Sequence, residues 1–128
     1  MIVDTSALVS IGTHEPGSAE LSGKIGNASK RLISAASVGE ALLVFRAKLR
    51  RDAEAEVRGM IRELGITIVA FGEPHLLWFA HAIHHYGRGQ HPAQLNFGDC
   101  FTYALAKHED LPVLFTGNDF SKTDVKLA

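Results

Sequence analysis

The hydrophobic positions along the chain alternate between short β-branched runs and longer stretches in which apolar residues recur at helical spacing. The short runs predict strands at residues 2–3, 31–34, 66–70 and 113–115. The longer stretches predict helices over residues 35–51, 53–64, 74–86 and 98–109. Residues 12–27 are rich in Gly, Ser and Glu, and suit a short amphipathic helix flanked by loops as well as an irregular connection.

Strands and helices that alternate in this way are typical of a mostly parallel sheet covered by helices. The sequence therefore predicts an α/β fold, a three-layer α/β/α sandwich whose strands are buried on both faces. A hydrophobic fraction of 46% and a charged fraction of 21% argue against disorder. The length of 128 residues fits one compact core, so we expect residues 1–128 to form a single domain.

The apolar spacing also predicts which faces of two helices point toward the core. In the helix from residue 35 the predicted core stripe is Val38, Leu42, Phe45 and Leu49. In the helix from residue 74 the predicted inward stripe is Leu76, Phe79, Ala80 and Ile83. Trp78 then faces outward, where it is interpreted either as part of a subunit or partner interface or as a singly exposed residue.

Four carboxylates stand where a predicted strand ends or a predicted helix begins: Asp4, Glu40, Asp99 and Asp119. In an open α/β sheet the crevice lies outside the carboxyl ends of the strands, so these distant residues are expected to converge. Crowded carboxylates raise one another's proton affinity unless a hard divalent cation binds them. An all-oxygen site suits Mg2+ or Mn2+, whereas zinc prefers His or Cys.

Each acid has a simpler interpretation as a helix cap. Ser37-x-x-Glu40 and Asn96-x-x-Asp99 fit or nearly fit a capping box, in which the acid accepts a bond from a backbone donor. The other two acids are placed to cap the turns or helices that follow their strands. The alternative hypothesis is therefore a non-catalytic α/β interaction module whose acids cap helices and do not respond to metal.

Charge, hydropathy and cysteine content indicate which ligand and which cellular compartment to expect. Without the four acids, ten Asp and Glu remain against 13 Lys and Arg, a mildly basic surround that suits a phosphodiester. No apolar run approaches the ~20 residues of a membrane helix, and the amino terminus lacks signal-peptide features, so we expect a cytoplasmic protein. The single cysteine, Cys100, has no disulfide partner and is expected in the core.

Two other kinds of site are weakly supported. His81 and His85 have the i, i+4 spacing of a zinc-binding pair, but Ala82 stands where a metalloprotease helix carries its glutamate. Gly87 and Gly89 lack the Gly-Lys-Ser/Thr ending of a phosphate loop. Neither a metalloprotease nor a nucleotide hydrolase is therefore predicted.

Four short motifs together resemble the PIN domain of VapC-type toxins. They are Val3-Asp4-Thr5-Ser6-Ala7-Leu8, Ala36-Ser37-Val38-Gly39-Glu40, Leu95-Asn96-Phe97-Gly98-Asp99-Cys100 and Leu114-Phe115-Thr116-Gly117-Asn118-Asp119-Phe120. Each motif is short, but the four stand in the order of the family and span nearly the whole chain. The resemblance implies a PIN-like fold and an endoribonuclease that is the toxin of a toxin–antitoxin pair.

The resemblance also implies individual roles and partners. The four acids match the residues that hold Mg2+, with Mn2+ able to substitute, and that hydrolyse RNA phosphodiester bonds. Ser6 and Thr116 match the hydroxyl positions that accompany the acids, and Asn96 matches the polar residue before the third acid. A homodimer and a small VapB-type antitoxin are the implied partners.

Basic side chains near the predicted pocket are candidates for binding RNA phosphates. Arg46 and Arg50 lie on the helix that carries Glu40, and Arg88 and His91 lie in the loop that precedes Asp99. The alternative is that a basic helix end is a solvated face that complements the helix dipole. No motif identifies the RNA that would be cut, because shape and unpaired bases usually decide such recognition.

Overall fold

The computed structural model describes residues 1–128 and contains a four-stranded sheet. Its strands are β1 (Ile2–Val3), β2 (Leu32–Ser34), β3 (Thr67–Val69) and β4 (Val113–Leu114). They lie in the order β3-β2-β1-β4, and every neighbouring pair is parallel. The predicted parallel sheet is confirmed, and each predicted strand is present within two residues of its expected bounds.

Six helices surround this sheet. They are α1 (Thr5–Gly12), α2 (Ser18–Asn27), α3 (Ala35–Leu49), α4 (Glu54–Glu63), α5 (Glu73–Tyr86) and α6 (Phe97–Glu109), followed by a 3-10 turn at Phe120–Lys122. The four predicted helices are confirmed. In the segment 12–27, the helical interpretation is the one observed. The α1 helix was not predicted, because it follows a two-residue strand without an intervening turn signal. None of the helices combines the length and hydropathy needed to cross a bilayer.

Neighbouring residues of each strand point to opposite faces of the sheet, so they pack in two separate hydrophobic cores. Val3 and Ile33 pack with α1, α2, α3 and α4 on one face. Ile2 and Leu32 pack with α5, α6 and the carboxyl-terminal segment on the other. Cys100 lies in the second core, as expected. The sheet is thus the middle layer of the predicted three-layer sandwich, with one core on each of its faces.

The edge strand β3 corrects one expectation. Thr67 is exposed and the Ile68 side chain is 39% exposed, so this strand is not buried on both faces. Its only sheet neighbour is β2, and the helices of the two layers do not fully cover the edge. The prediction of full burial holds for β1, β2 and β4.

The inward stripe predicted for α5 was wrong except at Phe79, which is partly buried and packs against the second core. The residues of this helix that are buried are His75 and Ala82, whereas Leu76 and Ile83 are 53% and 48% exposed and Ala80 is also exposed. The helix is rotated because it packs on α6 through aromatic rings. The spacing of apolar residues does not distinguish aromatic from aliphatic side chains, so it does not predict this rotation.

The position of Trp78 reflects the same rotation of α5. It is half-buried rather than outward-facing, and the Lys107 ammonium of α6 lies 5.4 Å from its ring centroid. A cation over an aromatic face is attracted by the ring quadrupole. Along α3, Val38 and Phe45 of the predicted stripe are buried, but Leu49, in the last turn, is exposed.

Candidate functional site

Asp4 is the most firmly held of the four acids. It follows β1 directly and forms the amino-terminal cap of α1. Its Oδ2 accepts bonds from the Ser6 backbone N–H at 2.9 Å and the Ser6 hydroxyl at 2.6 Å, and its Oδ1 accepts one from the Thr102 hydroxyl at 2.6 Å. Three donors therefore fix the orientation of a buried carboxylate.

Asp99 lies in the first turn of α6. The Asn96 backbone N–H donates to its Oδ2 at 2.9 Å, while its own backbone N–H donates to the Asn96 side-chain oxygen at 2.9 Å. This pair is a capping box, as the sequence suggested for Asn96 and Asp99. The box leaves the second carboxylate oxygen of Asp99 without a hydrogen bond from the protein.

Glu40 does not cap a helix, so that alternative is wrong for this residue. The α3 helix begins at Ala35 after the Ser34 cap, which puts Glu40 in its second turn. Its carboxylate lies against Gly98 of α6, where a Cβ atom would collide with the Glu40 oxygens. Gly98 thus allows Glu40 to approach the turn that carries Asp99.

Asp119 also lacks the capping role. It precedes the 3-10 turn at Phe120–Lys122, is exposed, and makes no capping hydrogen bond with its side chain. Capping therefore accounts for Asp4 and Asp99 but leaves two of the four acids without a structural role.

The four acids act on one another electrostatically. The pKa of Asp99 is raised to about 7, first by burial of the carboxyl group and then by the charges of Asp4, Asp119 and Glu40, while the Asn96 backbone N–H opposes the rise. The charges of the other three acids therefore reach Asp99, which puts all four carboxylates around the first turn of α6. No Lys, Arg or His forms an ion pair with any of them.

An acidic pocket with no basic partner has the donor chemistry of a site for a hard divalent cation. As the side chains stand, no three carboxylates or imidazoles anywhere in the chain are arranged to hold one metal ion. Asp4 and Asp99 are fixed by hydrogen bonds, whereas Glu40 and Asp119 have none that would oppose rotation. The residues fit a hard cation, provided that these last two carboxylates turn toward it.

The polar residues around the acids differ in how they take part. Ser6 links the start of α1 to the loop after β4, because its hydroxyl donates to Asp4 and accepts a bond from the Thr116 backbone N–H at 3.1 Å. Thr116 therefore contributes its backbone, and its own side chain is exposed. Asn96 supports Asp99 through the capping box.

Sequence reasoning missed Thr102 and Ser37. Thr102 is fully buried on α6 and donates to Asp4, and its hydroxyl also lies 3.3 Å from the hydroxyl of Ser37 on α3. A usable signal existed, since Thr102 is a lone polar residue in an otherwise apolar stretch, three residues after Asp99. Buried hydroxyls need partners, and a junction acid is an obvious candidate.

The basic candidates differ in how accessible they are. Arg46 and Arg50 are exposed on α3, and Arg88 is exposed in the loop between α5 and α6. His91 is only partly exposed; its Nδ1 accepts a bond from the Ala93 backbone N–H at 3.0 Å, and its ring packs against Tyr86. The three arginines are therefore freer than His91 to meet a polyanion.

Comparison with known proteins adds sequence and fold relatives. Residues 1–126 match the PIN domain family. The chain is 38% identical over 125 residues to Ribonuclease VapC of Mycolicibacterium smegmatis, covering 98% of this chain and 97% of that protein. It is 37% identical over 127 residues to Ribonuclease VapC36 of Mycobacterium tuberculosis, covering 98% and 91%.

A solved structure shares the fold at much lower sequence identity. The crystal structure of Mycobacterium tuberculosis VapC20, described as a sarcin-ricin loop cleaving toxin, superposes with a TM-score of 0.77 and 13% identity. The match covers 99% of this chain and 97% of that one. The architecture of the whole chain therefore has a known counterpart.

Proposed function

Because the chain belongs to the PIN domain family, we propose that it is a Mg2+-dependent endoribonuclease, the toxin of a VapBC-type pair, acting as a single nuclease domain over residues 1–128. The observation that carries the proposal is the pocket of four carboxylates without a basic partner. Its relatives of 37–38% identity are named ribonucleases, which supports the reaction class.

In this proposal Asp4 and Asp99 are direct metal ligands, and Glu40 and Asp119 complete the site directly or through water. The hydrogen bonds already made by Asp4 support its role, because ligands held by outer partners keep their orientation. Thr102 and Ser6 hold Asp4, and Asn96 holds Asp99. Mn2+ has the same preference for oxygen ligands and would substitute for Mg2+.

A cation bound there would supply an activated water and neutralise charge on the scissile phosphate. The protein's own task is then to hold the carboxylates in place and to keep the RNA backbone against them. Arg46, Arg50 and Arg88, with His91 as the least accessible candidate, would bind flanking phosphates. Binding through such contacts weakens as salt concentration rises.

The proposed partners follow from the same family. We expect a VapB-type antitoxin to neutralise the nuclease, a homodimer to be the active form, and the protein to act in the cytoplasm on cellular RNA. Exposed apolar side chains such as Leu77 and Phe97, 74% and 72% exposed, are compatible with surfaces that become covered on assembly.

The test is cleavage of total RNA by the purified protein with Mg2+ or Mn2+, followed by chelation and mapping of the new ends. Asp4→Asn and Asp99→Asn should abolish metal-dependent cleavage while the circular dichroism spectrum stays native. Asp110→Asn is the matched control, since Asp110 is an exposed carboxylate at the other end of α6. Undiminished cleavage by either pocket variant would refute the assignment, as would cleavage that persists in the chelator.

A further inference from the structure

A second group of potential metal ligands lies outside the acidic pocket, on the exposed side of α5. His81 and His85 are one helical turn apart, and their ring centroids are separated by 4.1 Å with an interplanar angle of 30°. Neither ring has a hydrogen bond to another protein group, and His85 is exposed to solvent. Histidines at i and i+4 of a helix have the spacing of a metal-binding pair, and rotation of the exposed His85 ring would bring a nitrogen of each onto one ion.

We propose that His81 and His85 form a binding site for a borderline transition-metal cation of the Cu2+ and Zn2+ class, with water completing its coordination. Imidazole nitrogen is the preferred ligand of these ions, whereas Mg2+ prefers oxygen. The chemistry of this site therefore differs from that of the carboxylate pocket. The site lies near Lys107 in the last turn of α6, whereas Asp99 is in the first turn.

The surroundings of His81 favour a neutral, oriented ring. Its pKa is lowered by burial and by His85, and further by Lys107 and His84, while Asp124 acts in the opposite direction. A neutral imidazole can offer a lone pair to a metal without first losing a proton. The ring stacks at 12° on Tyr103, with centroids 6.1 Å apart, which limits its rotation.

The Asp124 carboxylate stands close enough to raise the proton affinity of His81, and it is itself held by Tyr103 and Lys107 at 2.8 Å each. Asp124 makes no hydrogen bond with His81, but its charge would partly balance the positive charge of a bound cation. His85 supplies the second nitrogen from the solvent side. A chelate across one turn also stabilises the end of α5, because a ligand that binds only the folded state adds to its stability.

The experiment is a Cu2+ titration of the full chain near pH 7.5 in excess Mg2+, which keeps the acidic pocket occupied by a competing ion. Calorimetry gives the affinity, and electron paramagnetic resonance counts the nitrogen donors. We expect two nitrogens in the wild-type spectrum. In His85→Ala we expect one nitrogen and an affinity reduced by about tenfold or more. His85 is exposed, so its replacement leaves the fold intact.

His84→Ala is the matched control, because His84 is the exposed neighbour of His85 and its ring lies 5.0 Å away, on a different helical position. It should bind Cu2+ within about twofold of wild type, since a chelate needs both members of one pair. Unchanged affinity in His85→Ala would overturn the proposal. An equal loss in His84→Ala would do the same, because the ion would then be held by unspecific surface histidines. RNA cleavage is not measured, so the result is independent of the proposed nuclease function.

Discussion

Carboxylates at the two ends of α6 differ in whether they have a basic partner. Around its last turn, three carboxylates each pair with a lysine: Glu109 with Lys30 at 2.6 Å, Asp110 with Lys126 at 2.7 Å and Asp124 with Lys107 at 2.8 Å. Around its first turn, the four acids of the pocket have no basic partner. The two ends of one helix therefore differ in whether their carboxylates are balanced by lysines within the chain.

The pKa directions show the same contrast. The pKa of Glu109 is lowered, chiefly by its hydrogen bond to Lys30. The pKa of Asp124 is also lowered, because its bonds to Lys107 and Tyr103 outweigh the opposing effect of burial. The pKa of Asp99 is instead raised to about 7. The first turn therefore lacks a positive charge that the last turn has.

Among substitutions that leave the four acids in place, Gly98→Ala should reduce cleavage the most. A Cβ at this position would collide with the Glu40 carboxylate and push it away from the turn that carries Asp99. We expect metal-dependent RNA cleavage to fall by about tenfold or more, since small displacements of catalytic groups are costly. Initial cleavage rates at saturating Mg2+ measure the loss.

Gly59→Ala provides the matched control. Gly59 lies within α4, and a Cβ there meets no atom within 4 Å. This change should leave cleavage unaltered and stabilise the protein by about 0.5–1 kcal/mol, because alanine is the better helix former. Equal cleavage by the two alanine variants would show that Glu40 does not need its place beside α6.

Thr102→Val tests the support of Asp4 from α6. The substitution keeps the shape of a fully buried side chain but removes the donor to the Asp4 carboxylate at 2.6 Å. Metal affinity should fall by about 10–100-fold, as it does when an outer partner of a ligand is lost. Titration with Mn2+ measures this affinity.

Thr102→Ser is the rescue variant, because it restores the hydroxyl without the methyl group. Its metal affinity should approach that of wild type even though the missing methyl leaves a small cavity. A serine variant as weak as the valine variant would mean that packing, not the hydrogen bond to Asp4, explains the loss.

Particular residues show how far sequence alone reaches. The ends of β1 and β4 follow from local hydrophobic runs, so the position of Asp4 directly after β1 was predictable, whereas Asp119 lies five residues beyond the end of β4. The bond from Thr102 to Asp4 joins residues 98 positions apart and leaves no local pattern. The capping alternative for Glu40 arose because Ser37 resembles a cap, although the helix begins earlier, after the Ser34 cap.

The rotation of α5 has a different cause. Leu76 and Ile83 satisfy the helical spacing of a core stripe, yet His75 and Ala82 occupy the interior. The aromatic surface of α6 determines which face of α5 is buried. The ring centroids of Phe101 on α6 and Phe79 on α5 lie 4.8 Å apart. Which face of a helix is buried depends on its packing partner, which the helix's own sequence does not contain.

Lowering the pH should stabilise the first turn of α6 and destabilise the last turn. In chelator, the raised pKa of Asp99 contributes stability that is full below its unfolded value and is lost as pH rises through about 7. Asp99→Asn should therefore unfold at a higher temperature than wild type near pH 8, with a smaller difference at pH 4. Excess Mg2+ should reduce that advantage, because the cation compensates the charge in the wild type.

Asp124→Asn should show the opposite sign. The lowered pKa of Asp124 contributes stability above its unfolded value, and this is lost as pH falls through the lower folded value. The variant should therefore be less stable than wild type at pH 7 and approach it in acid. Thermal unfolding of both variants from about pH 2 to pH 8 is the measurement, since the contribution of Asp124 is lost only below its unfolded pKa of about 3.9. Parallel curves would show that the two ends of α6 do not differ.

The smallest effect is expected for Lys30→Gln, which removes the lysine from Glu109. This ion pair lies at the surface, with 56% of the Lys30 side chain exposed, and such pairs contribute about 0.2–1 kcal/mol. Urea unfolding at low salt should detect the loss, and the difference should shrink at high salt because exposed charges are screened. A larger destabilisation that does not depend on salt would contradict this expectation. The Lys30–Glu109 pair would then not behave as an exposed ion pair, and the contrast between the two ends of α6 would lose its electrostatic basis.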